Sequence, residues 1–171
     1  MAIRFCLLEG NSEDDKLKFD ADAEDINFRT VYVFWFVRKN TDQALPFYVG
    51  ATDNLLRRMK DYRLGHDKAP TDFRVHTATK HLLKTKWEIV LTYEKVSEEE
   101  KRKQERQQIV AFLISGYHLL SSLPSYDYRQ IGDAKYKNKI QRDIQKFCDL
   151  MCRNQNYQLS KSGAQSLFYH S

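Results

Sequence analysis

The stretch PFYVGATDNLLRRMKDY, residues 46–62, decides the reading of this chain. Phe47, Tyr48 and Val49 favour an extended strand, and Pro46 suits its start or a sheet edge. Gly50 allows a tight exit from the strand. Asp53 or Asn54 then caps a helix that runs to about Tyr62. At 100° per residue, Leu55, Leu56 and Met59 form its buried stripe. Arg58 and Tyr62 lie four residues apart, side by side at the border of that stripe, and Arg57 faces water. Of the two arginines, Arg58 is therefore the candidate for chemistry.

Working outward, VYVFWFV at 31–37 is continuously apolar and reads as a strand buried on both faces. With a turn at 38–44, it forms a hairpin with the strand at 45–50. The stretch 65–74 reads as a loop, 75–85 as a helix and 87–96 as a third strand. Ser97 followed by Glu100 predicts a capping box for a helix to about Ile114. A long connection leads to a last helix in which Ile140, Ile144, Phe147 and Met151 recur at helical spacing. The order β-β-α-α-β-α plus a C-terminal helix predicts an α+β domain: a small three-stranded sheet flanked by helices.

The 171 residues suffice for one domain with extensions, and 42% hydrophobic content suffices for a core. No run approaches the ~18 apolar residues of a membrane span. The N-terminal stretch does not read as a secretory signal. Three cysteines without a Cys-x-x-Cys argue against a disulfide framework. The expected setting is thus intracellular, in the cytoplasm. Net charge is +5, unevenly spread. Eight acids against Arg4, Lys16 and Lys18 give residues 1–25 a balance of −5, which leaves +10 for the remainder. A basic body suits a polyanion. The acidic stretch reads as a solvated arm, one that could shield a basic groove.

On the helix from 97, Ile109, Phe112 and Leu113 mark an apolar face, and Glu105 shares it. A carboxylate there is costly unless it is ion-paired, hydrogen-bonded, metal-bound or high enough on the helix to reach water. Glu98, Glu99 and Glu100 need no such account, because the helix N-terminus favours anions. His76 and His81 stand alone as candidate ligands or proton carriers. Cys148 and Cys152 lack further ligands at a zinc spacing and read as core residues.

Together these residues resemble the GIY-YIG nuclease superfamily over about residues 29–122. Thr30-Val31-Tyr32 stands where that family has Gly-Ile-Tyr, and Tyr48-Val49-Gly50 where it has Tyr-Ile-Gly. The family arginine falls on Arg58, and the following Tyr or His on Tyr62. The metal-binding glutamate falls on Glu105, and a histidine of the next helix on His76. The chain departs from the pattern at Thr30, at Ala51 and Thr52 where some members carry a lysine, and at Ser121 or Ser122 where many carry an asparagine.

The resemblance implies hydrolysis of a phosphodiester. Tyr32 would be the general base, aided by Tyr48, with Arg58 supplying charge and Tyr62 positioning the reactants. Glu105 would hold one Mg²⁺ or Mn²⁺. The implied partner is DNA, with RNA open, and double-strand cleavage would call for a homodimer, two binding events or a reorienting partner. The alternative is a nucleic-acid-binding module that keeps the fold without much activity. The implied division is an acidic arm at 1–28, the catalytic domain at 29–122 and a helical extension at 123–171. In that extension Lys135, Lys137, Lys139, Arg142 and Lys146 could meet phosphates while the apolar stripe packs on the domain.

Overall fold

A computed structural model of the chain describes residues 2–8, 16–20, 26–38, 43–85 and 87–153. The elements are β1 (Ala2–Leu8), β2 (Lys16–Asp20), β3 (Thr30–Arg38), β4 (Ala44–Thr52), α1 (Leu55–Leu64), α2 (Pro70–Leu83), β5 (Trp87–Lys95), α3 (Glu98–Ile114) and α4 (Ala134–Arg153), with a 3₁₀ turn at Leu120–Ser122. The α+β class holds, but the sheet has five antiparallel strands, not three, in the order β2-β1-β5-β3-β4. The two additional strands come from the N-terminal stretch expected to be a solvated arm. There β1 pairs with β5, and β2 with β1 (Phe5↔Phe19, Leu7↔Leu17). Most of the acidic residues of that stretch, at 9–15 and 21–25, lie outside the described residues, as do turn residues 39–42 and the chain beyond 153.

Period-two alternation divides β3 between two cores. Tyr32, Phe34 and Phe36 face α1, α2 and α4, whereas Val31, Val33 and Trp35 face the side on which α3 packs. The β3–β4 register shifts between Phe34 and Trp35, so that Phe34 opposes Tyr48 and Trp35 opposes Pro46. Phe47 is the extra residue of this bulge. Its consequence is that Phe47 and Tyr48 both turn toward the α1 side, with ring centroids 5.5 and 6.2 Å from that of Phe34. Pro46 is tolerated because β4 is an edge strand.

Asn54, not Asp53, caps α1 by accepting the Arg57 N–H at 2.8 Å. Further first-turn donors of α1 bond backward, Leu55 N–H to Phe28 O and Leu56 N–H to Ile26 O. Gly65, at φ 60°, ends the helix. Helix α2 begins at Pro70, five residues earlier than the hydrophobic pattern predicts. Proline at the first helical position lacks the N–H that would be unbonded there anyway.

The Ser97 cap of α3 forms, with Ser97 Oγ accepting the Glu100 N–H at 3.3 Å and donating to its carboxylate at 3.0 Å. This helix lies along the β4 side of the sheet, so only a narrow strip is covered. Ile109 and Phe112 pack inward, whereas Leu113, expected beside them, is 45% exposed. The connection that follows crosses the edge of the sheet: Leu119 joins one core and Leu120 the other. Tyr126, Ile131, Ile144, Cys148 and Met151 then share a single core with Tyr32 and Phe34.

Candidate active site

Three tyrosines from three elements meet over the α1 side of the sheet. The Tyr32 and Tyr62 hydroxyls lie 2.7 Å apart, and Tyr62 donates to the Tyr48 oxygen at 3.3 Å. With its proton committed to Tyr48, Tyr62 accepts from Tyr32. The row thus runs from Tyr32, 1% exposed, to the partly exposed Tyr48. Burial raises the pKa of all three above the ordinary tyrosine value. The bulge in β4 and the helical turn from Arg58 to Tyr62 are what bring these rings together.

Arg58 lies over the Tyr62 ring, 4.6 Å from its centroid, and its nearby charge favours the ionised forms of Tyr32 and Tyr48, against the effect of burial. Burial works against its charge, but the neighbouring tyrosines and the Asp72 carboxylate outweigh that and keep it protonated. Asp72 faces Arg58 at 2.7 Å from the first turn of α2. Nothing in the sequence marks Asp72, which falls within the stretch read as a loop. Its only legible signal is an acid two residues after a helix-starting proline.

His76 does not reach the hydroxyl row. Its Nδ1 lies 2.9 Å from the Tyr62 carbonyl, and since a carbonyl only accepts, this nitrogen carries the proton. Burial lowers its pKa. Its ring also packs against Gly65, beneath the end of α1. His81 pairs with Asp149 at 2.7 Å, away from this cluster. Thr30 fits in place of glycine because its hydroxyl donates to the Glu94 carbonyl on β5 at 2.6 Å. Ser121 and Ser122 are exposed in the 3₁₀ turn.

Glu105 approaches from the other side of β4. Its half-buried carboxylate lies by the Ala51 N–H, which favours the ionised form, and near enough to Tyr48 for its charge to raise the tyrosine's pKa. Burial raises the pKa of Glu105, partly offset by the Ala51 N–H and by Arg102 and Lys101. No salt bridge reaches it among the described residues. Such a carboxylate fits a hard divalent cation. No group of three His, Cys, Asp or Glu is close enough to hold an ion among the described residues, so an ion held by Glu105 would need water or phosphate to complete its shell. Cys148 and Cys152 are free thiols, Cys148 within the core. No helix among the described residues is long and apolar enough to cross a membrane.

The family model for the GIY-YIG catalytic domain matches residues 30–112, a span containing Tyr32, Tyr48, Arg58, Tyr62, His76 and Glu105. No curated protein and no solved structure matches the chain. Through residues 30–112, the chain belongs to the GIY-YIG nuclease superfamily.

Proposed function

We infer that the chain is a divalent-metal-dependent DNA endonuclease that hydrolyses phosphodiester bonds at the Tyr32–Tyr48–Arg58–Tyr62–Glu105 site. The observation that carries this reading is the half-buried Glu105 carboxylate, free of salt bridges among the described residues and near Tyr48, whose oxygen accepts from Tyr62 and feels the Arg58 charge. A binding module has no use for that carboxylate.

The base role that the resemblance gives to Tyr32 falls better to Tyr48, because Tyr32 lies at the buried end of the row. Tyr48 would hold the attacking water at the open end. Donation from Tyr62 and the Arg58 charge favour its ionised form, and Tyr32 steadies Tyr62 behind it. Arg58 would also lend its remaining N–H groups to the phosphate as charge builds there. His76 would hold the end of α1, and with it Tyr62, in place. A cation on Glu105, Mg²⁺ or Mn²⁺, would polarise the phosphate and neutralise the leaving oxygen.

The test is incubation of supercoiled plasmid with the protein in Mg²⁺, Mn²⁺ or EDTA. Nicked or linear product in metal and none in EDTA is expected. Linear product made without a nicked precursor would point to two sites acting together, as in a homodimer. Binding to duplex DNA without cleavage in either metal would instead give the binding module.

A further inference from the structure

We propose that Asp72 is a positioning residue for the reaction: it orients the Arg58 guanidinium toward the tyrosine hydroxyls and withholds part of its charge from nucleic acid until the phosphate is seated. This rests on the nuclease reading above. Among the described residues Asp72 is the one carboxylate in the buried set, at 6% exposure. A buried carboxylate costs several kcal/mol unless a partner answers it. Its partner is the very arginine assigned to the phosphate, with Arg58 Nη1 2.7 Å from Asp72 Oδ1.

The directions of the contacts define the role. The guanidinium is a planar fork with five N–H donors. One arm is paired with Asp72 by charge rather than by an aligned hydrogen bond, the face rests on Tyr62, and the guanidinium lies close enough to Tyr32 and Tyr48 for its charge to act on both hydroxyls. Asp61, 3.9 Å from the same nitrogen and a third exposed, constrains it less. Without the Asp72 anchor, the outer bonds of Arg58 are held only by the Tyr62 ring and by the looser contacts with the other tyrosines and Asp61. The acid is itself set by α2, whose first turn favours an anion. Asp72 therefore ties the α1–α2 corner to the geometry of the hydroxyl row.

Asp72→Asn keeps the shape and removes the charge. Arg58 is then freer and less neutralised, so affinity and turnover move in opposite directions. Binding to duplex DNA in EDTA is expected to tighten, with the salt slope steeper by about 0.9, the contribution of one released phosphate contact. Cleavage at saturating DNA is expected to fall by roughly 10- to 100-fold, the scale of a misplaced reactive group. Asp72→Glu, which keeps the charge on a longer arm, should retain the wild-type slope with an intermediate rate. In the double variant Arg58→Gln/Asp72→Asn, the gain in binding should disappear.

A merely structural role would lower both quantities in step with the loss of folded protein, and that result, or no change in either, would overturn the proposal. A readout free of substrate separates this from failure of the nuclease reading. In the free protein, the Arg58 Nε–H resonance should exchange faster with water in Asp72→Asn than in wild type. Unchanged exchange overturns the positioning role whether or not the protein cuts DNA.

Discussion

A methyl group on Gly50 would lie 2.5 Å from the Tyr32 hydroxyl oxygen and 2.6 Å from the carbon that bears it. The glycine of this motif is thus explained by the tyrosine that opposes it across the hairpin, in register Tyr32↔Gly50. The sequence offers a strand exit as the reason for Gly50, because cross-strand register is invisible in one strand alone. Gly50→Ala forces the Tyr32 ring out of the row. A loss of roughly 1–3 kcal/mol is expected from overpacking, read by chemical denaturation, together with loss of cleavage. Arg58 and Tyr62 were legible because helical spacing alone makes them neighbours. Asp72 was not, since an ion pair between two helices leaves no periodic trace.

At the scale of elements, α1 is held at both ends. Asn54 and the backbone of residues 26–28 secure its start, and His76 secures the carbonyl of Tyr62 near its end. The bond requires a proton on His76 Nδ1, and burial disfavours adding a second one. The folded chain thus holds His76 below the ordinary histidine pKa of about 6.5, so the unfolded chain takes up that proton first. Stability contributed by neutral His76 is complete above about pH 6.5 and is lost as pH falls through the folded value. Thermal melts from pH 8 to 5 should show this slope, and His76→Asn should flatten it. An unchanged slope would mean that His76 does not secure the helix end. The strand, cap and helix signals of residues 46–62 agree with one another, which is why that corner reads correctly. Ala2–Leu8 and Lys16–Asp20 do not announce themselves: they are short, and the acids between and after them read as a solvated arm. Pairing with β5 supplies what local pattern lacks.

Across the whole molecule, charge pairing is uneven. Lys137 pairs with Asp67, Lys139 with Asp143, and Arg29 and Lys101 share Asp53. The cations of α1 and α3 differ: Arg57, Lys60, Arg63, Arg102, Lys103 and Arg106 are exposed and make no salt bridge among the described residues. Surface pairs contribute little to folding, but the unpaired set leaves a positive field around Glu105 and Tyr48. If all six meet phosphates, duplex binding should show a salt slope of about −5. Replacing Arg102, Lys103 and Arg106 by glutamine should lower its magnitude by about 2–3, and the same change at Lys135, Arg142 and Lys146 on α4 should leave it alone. Fluorescence anisotropy over a salt series measures this. A slope that responds instead to the α4 changes would move the nucleic acid to the phosphate role first read from that helix. The packing of α4 onto the domain was legible in its apolar stripe; which cations stay unpaired depends on contacts between distant elements.

The central claim is that Glu105 makes this a metal-dependent nuclease, and Glu105→Gln tests it most directly. Burial raises the pKa of Glu105, so its ionised carboxylate opposes folding at neutral pH, and glutamine keeps its shape without the charge. The variant should fold with at least wild-type stability in the absence of metal, while plasmid cleavage in Mg²⁺ falls to the level seen in EDTA. Undiminished cleavage by the folded variant would contradict the account.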